Sequence, residues 1–485
     1  MVNCSFSIVI FLTPCYDADN KRCDERVFYM LHPHELPHPD TAAALRLCAG
    51  ADKHRQLVTD TLDYIWKNPE TGYREWKTHA YLARVFRDLG YELTEAGDIP
   101  GFYTVLDTGR PGPELLIMGE LDSLIVPTHP QCDPTTGAVH SCGHAAQCAA
   151  LVGIAAALKE PGALDDLCGR IRLCAVPAEE LIEIEYRSQL KKEGKIKYMG
   201  GKSEFMRRGY FDGVDLAFMV HTSTGTDYFC RSAMIGCLSK KVTYSGRSSH
   251  AGGSPWNGIN ALYAAQQGLS AVNAIRETFR EKDYIRVHPI LTAGGSAVNA
   301  IPDHVTLESY VRSGNFAALA DANARVNRAL IGAALSLGAN VDIQDNPGYA
   351  PLRQDPGLAH IAEEAAAALA YPFHYDPAPS TGSTDMGDVS QVMPALHPCC
   401  PGAAGVSHGS DYIIADPELA CVGSAKWQLM MLHLLLENDA RRAQKIVDDY
   451  VSDFGSVREY LDYLDTYVCS GKRIRYTDSG AEVKL

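Results

Sequence analysis

From Thr41 to Leu89 apolar residues recur at helical spacing. The run breaks once, at the turn signal Asn68-Pro69-Glu70-Thr71-Gly72. REWKTHAYLARVFRDLG then resumes it and stops at Gly90, a candidate C-cap. Further on, short apolar runs alternate with helical stretches. PELLIMG, RIRLCAV and VDLAFMV read as buried strands, and AAQCAALVGIAAALKE reads as the helix between the first two. Strand, helix and strand in this rhythm predict a mainly parallel sheet covered by helices.

After Cys230 the pattern changes. CLSKKVTYSG and HVTLESYVRS alternate apolar and polar residues, as half-buried antiparallel strands do. NALYAAQQGLSAVNAIRETF lies between them and AALADANARVNRALIGAALSLG follows, both helical in pattern. From Tyr349 short apolar runs and helical stretches alternate again. The expected fold class is therefore α/β: a larger domain over 46–232 and 346–440, carrying an inserted smaller α+β domain over 233–345. A leader over 1–45, ending in the proline-rich HPHELPHPD, and a C-terminal extension over 441–485 flank them.

A chain of 485 residues exceeds what one core usually organises, which agrees with two domains. The net charge of -15 argues against nucleic acid as a partner, because phosphates call for basic faces. SFSIVIFLTP near the N-terminus is too short for a membrane span and lacks the basic flank of a signal peptide. No other stretch approaches the roughly 20 apolar residues of a membrane helix, so no membrane association is expected. The 15 cysteines are irregularly spaced, with Cys399 and Cys400 adjacent, which reads as a reduced, cytoplasmic protein.

Each apolar run of the larger domain ends in groups that bind metals. ELLIMG leads to Glu120 and Asp122, RLCAVP to Glu179 and Glu180, and LAFMV to His221. Ligands of doubly wound sheets bind beyond the carboxyl ends of the strands, so these groups can converge. Between the first two runs, AVHSCGHAAQ places Cys142 and His144 two apart, with His140 just before them. Thiolate, imidazole and carboxylate suit zinc and, less strongly, its transition-metal neighbours. Of two adjacent glutamates, one can bind metal while the other takes a proton from water. Incidental placement, or Cys142 as a thiol nucleophile, are the competing readings of the same residues.

The ordered motifs WKNPETGYRE, GELDSL, HSCGH, PAEE, VH at 220–221, SSHAGGSPWNGINAL, GGSAVNAIPD, GSTDMGDVS and SHGSDY span about residues 55 to 435. In them the chain resembles the aminoacylase/carboxypeptidase family of metallopeptidases. It is most similar to the amidohydrolase branch with hippurate, indole-acetyl-amino-acid and aminobenzoyl-glutamate hydrolases. The resemblance implies two divalent metal ions, zinc or manganese. Cys142 would bridge them, with His144 and Glu180 on one and His221 and His408 on the other. It implies Glu179 as general base and His250 as a histidine that assists at the partner subunit's site, in a homodimer formed through the inserted lid domain. Asn299 and Arg312 would hold the substrate's carboxylate. The implied reaction is cleavage of an N-acyl or N-aroyl amino acid, or of a dipeptide, by metal-activated water. A catalytically silent, metal-stabilised binding protein and a thiol hydrolase using Cys142 are the alternatives. Three features depart from the family pattern: Ala145 and Gln147 after CGH, the charged stretch over 181–205, and the tail after about Asn438.

Overall fold

A helix apolar on every side must be buried on every side. His144–Leu158 is such a helix: all 15 of its residues are buried, and it is the spine of the larger layer. Its small side chains let neighbours come close. A Cβ added at Gly153 would lie 3.0 Å from Val58 Cγ2 and 3.2 Å from Ala425 Cβ. Around it pack the helices Thr41–Lys53, Arg55–Lys67 and Ser424–Leu436, and the strand Glu114–Glu120. The structure, a computed structural model, describes residues 41–485. The leader expected over 1–45 falls mostly outside the described residues, as does SFSIVIFLTP, and its final positions already belong to the helix Thr41–Lys53.

The larger sheet runs in the order Thr94–Glu95, Phe102–Asp107, Arg170–Val176, Glu114–Glu120, Leu216–Phe218, Ala395–Leu396. The last four are parallel neighbours, whereas the first two join antiparallel, so the sheet is mixed rather than parallel throughout. Burial accounts for the difference. Glu114–Glu120 is buried at every position, as a strand covered on both faces must be. Phe102–Asp107 has exposed and half-exposed positions, which an antiparallel edge tolerates.

Residues 236–349 form a second layer with its own core. Gly236–Ser245 lies between His304–Ser313 and Asn340–Tyr349, antiparallel to both, with Arg286–Val287 and Ile290–Ala293 beyond His304–Ser313. The helices Ala261–Ile275 and Phe316–Ser336 complete a core that includes Val242, Tyr244, Leu307, Leu330 and Ile343. The boundary expected at residue 345 cuts through Asn340–Tyr349, which continues to Tyr349. The chain enters and leaves this layer side by side, since Ala233–Met234 pairs antiparallel with Leu352–Arg353.

The tail over 441–485 is not an appendage. In the helix Val457–Asp465, Tyr460 and Leu464 join the core of the larger layer, and the Tyr460 hydroxyl donates to Asp388 Oδ1. Further along, Asp345 and Cys469 exchange main-chain hydrogen bonds of 2.9 and 3.2 Å, and Ile474 enters the core of the smaller layer. One segment thus fastens to both layers, and the described residues 41–485 belong to a single compact unit.

Glu418–Leu436 is long and apolar enough to cross a membrane, against the expectation that no stretch would be. Of its most apolar 18-residue window 89% is buried inside the body, where it packs as core. The twelve described cysteines are all free.

Candidate metal centre

Three strand ends and two loops of the larger layer converge on one buried pocket of ligands. Gly143 turns the chain into the helix that begins at His144, with a left-handed φ of +100°. A side chain there would also strike the Tyr412 hydroxyl, so the position requires glycine. The turn sets Cys142 Sγ 3.3 Å from His221 Nε2. Both histidine rings are oriented by carbonyls. His144 Nδ1 donates to Asp122 O at 2.9 Å, and His221 Nδ1 donates to Thr222 O at 2.8 Å. With Nδ1 protonated, each Nε2 lone pair is left for a cation. Asp122 also fixes the glutamate loop, because Glu180 N donates to its Oδ2 at 2.8 Å.

The donor set fits divalent metal. His144 Nε2 and Glu180 Oε1 are buried without a hydrogen-bond partner, which is costly unless a cation satisfies them. Cys142, His144 and His221 have ligand atoms within 4.8 Å of one another, and so do Cys142, Glu180 and His408. His144, Glu179 and Glu180 form a third such group. The sulfur therefore belongs to two neighbouring clusters, as a bridging ligand would. His144 groups with His221, the two rings 5.8 Å apart, and also with Glu180, while His408 groups with Glu180. His408 comes from a separate loop, its Nε2 3.5 Å from Glu180 Oε1 and its side chain half-exposed.

Behind the ligands lies a buried network that the sequence pattern did not reveal. Lys202 donates from Nζ to Glu120 Oε1 at 2.5 Å and to Asp385 Oδ1, and all three residues are 0–1% exposed. Gln147, one of the departures from the family pattern, donates to Glu120 Oε2 at 2.9 Å. Burial would raise Glu120, but the Lys202 ammonium and the His144 ring hold it below the usual carboxylate range. Burial lifts Asp385 to about 6. Glu179 is held well above the usual carboxylate range, first by burial and then by the charges of Glu120, Glu180 and Asp385. His397 is a further member that the pattern did not reveal. It is pushed down to about 4 by burial, and its Nδ1 donates to Met219 O at 2.9 Å. The only sequence signal for Asp385 is its place in GSTDMGDVS, and Lys202 sits in the charged stretch that departs from the family pattern. His140, inside the motif but outside the ligand set, is buried, and burial pushes it down to about 3.

The smaller layer contributes differently. Arg312 Nη1 reaches across to Ser383 Oγ at 2.9 Å, and its Nε donates to His288 Nε2 at 3.1 Å. His250 and Asn299 lie together at the outer edge of this layer, both exposed, with Ala251 N donating to Asn299 O at 2.9 Å. His250 Nδ1 accepts from Gly252 N and Gly253 N at 3.1 and 2.9 Å, so its proton is on Nε2, facing away from its own turn. Among the described residues no hydrogen bond or ion pair joins His250 or Asn299 to the ligand cluster.

The profile described as Peptidase family M20/M25/M40 matches residues 116–422, more than half of the chain. A mouse protein named Xaa-Arg dipeptidase is 29% identical over 69% of this chain and 74% of its own. An N-acetyl-L-cysteine deacetylase of Bacillus subtilis is 26% identical over 68% of this chain and 77% of its own. Among solved structures, a Bacillus subtilis protein described as a dinuclear metal-binding peptidase of the M20 family superposes with a TM-score of 0.58. It is 19% identical and covers 82% of this chain and 99% of its own.

Proposed function

The chain belongs to peptidase family M20/M25/M40, hydrolases of amide bonds, and on that premise we propose that it is a dinuclear metal-dependent amidohydrolase cleaving N-acyl amino acids or dipeptides. The observation that carries this reading is a buried glutamate, Glu179, beside an adjacent glutamate and a histidine whose ligand atoms make no hydrogen bond and cluster with Cys142, His221 and His408. Cys142, His144 and His221 would hold one cation, and Cys142, Glu180 and His408 the other. Zinc and manganese both accept such donors. The bound ions supply a Lewis acid for the amide carbonyl and lower the pKa of water.

The residues do the rest. Glu179 takes a proton from the attacking water and returns it to the leaving amine, since its raised affinity suits a group that must both accept and release. Arg312 pairs with the substrate carboxylate through its fork of donors, and Asn299 adds a neutral donor. His250 Nε2–H donates to the oxyanion that forms on the amide carbon. Exposed at the layer's edge, His250 would serve a second subunit. Trp256, Ile290 and Val298 on this layer are 77%, 62% and 102% exposed, apolar side chains that a second copy would cover in a homodimer.

Burial and Glu180 push the Cys142 thiol well above its ordinary value, which disfavours it as a free nucleophile. A silent binding protein has no need of Glu179 beside Glu180. The test is metal analysis with turnover of N-acyl amino acids and dipeptides before and after chelation. Loss on chelation and return with zinc or manganese is expected; full turnover in metal-free protein would refute the reading.

A further inference from the structure

Four consecutive carbonyls frame the two glutamates, and a side chain grips each of them. Arg187 donates from Nη1 to Ala178 O at 3.3 Å and from Nη2 to Glu180 O. The Tyr349 hydroxyl donates to Glu179 O, and the Tyr310 hydroxyl to Leu181 O. The donors alternate along the chain. Carbonyls 178 and 180 belong to Arg187, from the helix Ile184–Lys192. Carbonyls 179 and 181 belong to two strands of the smaller layer, Asn340–Tyr349 and His304–Ser313.

The loop needs such support. It lies outside helix and strand, and Ala178 has a φ of +59°, a conformation costly for any residue but glycine. Its main-chain bonds are few: Gly201 N to Ala178 O at 3.2 Å and Ile182 N to Glu180 O at 2.9 Å. Arg187 is fully buried, and the charge that interacts with it is the equally buried Glu75 carboxylate rather than a hydrogen-bonded partner. Its other contacts are a 2.6 Å bond to Met199 O and the Tyr73 ring, 5.6 Å from the guanidinium. A buried guanidinium committed to main-chain carbonyls carries a large desolvation cost, so the geometry it enforces has to matter. Burial raises both tyrosine hydroxyls, which keeps them protonated as donors.

We propose that Arg187, Tyr310 and Tyr349 are positioning residues that set the Glu179–Glu180 pair, a proposal resting on the reading of Glu180 as a metal ligand and Glu179 as the base. Two of the four grips come from the smaller layer. Where that layer sits therefore governs how firmly the glutamates are aimed.

The test uses full-length protein carrying Tyr310→Phe with Tyr349→Phe, Arg187→Lys, or Arg187→Met. Zinc dissociation constants come from chelator competition, kcat and KM from an N-acetyl amino acid, and the unfolding midpoint from a thermal scan. The tyrosine double variant should weaken zinc and lower kcat by about tenfold each, with KM unmoved and the midpoint kept within a few degrees. Arg187→Lys should retain more of both than Arg187→Met. If Arg187→Met does not fold, the lysine and tyrosine variants decide. Zinc affinity and kcat within twofold of wild type in the tyrosine variant would overturn the proposal. A lowered midpoint with both constants unchanged would overturn it too, since support of the fold alone gives that pattern. Wild-type protein that binds zinc but turns over no amide would defeat the functional reading only, and zinc affinity in the variants would still decide this one.

Discussion

Lys202→Met removes the cation between Glu120 and Asp385 while keeping most of the side-chain volume. In the wild-type protein all three groups are 0–1% exposed, so solvent cannot replace the lost charge. Glu120 would keep Gln147 Nε2 at 2.9 Å and the His144 ring, its Nε2 3.2 Å away, and Asp385 would keep the main-chain N of residue 202 at 3.0 Å. These neighbours do not replace the ammonium that the two buried carboxylates shared. Breaking a buried pair by removing one partner costs about 3–5 kcal/mol, a sizeable share of a typical stability of about 5–15 kcal/mol. Asp385→Asn alone leaves the Lys202–Glu120 pair and should cost about 1–2 kcal/mol, the scale of one buried hydrogen bond. Together the two changes leave a single buried carboxylate beside Gln147, so the double variant should lose less than the sum. The assay is urea unfolding of the chelated proteins, which removes any contribution from bound metal. A cost below about 1 kcal/mol for Lys202→Met, the range of an exposed pair, would refute the reasoning. So would costs that add within about 0.5 kcal/mol.

Glu179→Gln should retain metal and lose about 10²- to 10⁴-fold in kcat, whereas Glu180→Gln should weaken metal binding itself; equal metal loss in both would reverse the roles. Substrates with an amidated carboxylate should be poor for wild type, and Arg312→Ala should narrow the gap between free and amidated forms; an unchanged ratio counts against the clamp. Mixing His250→Ala with Glu179→Gln under subunit exchange should restore activity, because a mixed dimer holds one intact site if His250 acts across the interface; a mixture that stays inactive places His250 within its own chain. Asp388 is lifted by burial from 3.8 to about 7, so between these pH values the folded protein keeps a proton that the unfolded chain has released. Stability is then highest below the window, falls as pH rises through it, and is flat above. Asp388→Asn should gain at most about 4 kcal/mol at pH 8 and almost nothing at pH 4, and an equal difference at both would refute the assignment.

Periodicity and residue chemistry determined a good deal unaided. The all-apolar helix at His144–Leu158, the buried strand Glu114–Glu120 and the alternating strands Gly236–Ser245 and His304–Ser313 all stood in the local pattern, because burial on one or two faces imposes its own period. The family motifs likewise contained every residue of the ligand cluster. What the sequence could not decide were relations between distant segments. Which ligands share a cation depends on whether His221 or His408 approaches the sulfur from the side of His144, a matter of loop placement. Lys202, in a charged stretch, reads as a solvated lysine until the fold buries it between two carboxylates. The tail reads as an extension until Tyr460 and Ile474 are found in two different cores. Glu179 and Glu180 follow a strand end in the sequence, but the four donors on carbonyls 178–181 come from three separate elements. Local pattern is written in neighbouring side chains, whereas charge compensation and aim depend on groups that only chain folding brings within hydrogen-bond distance.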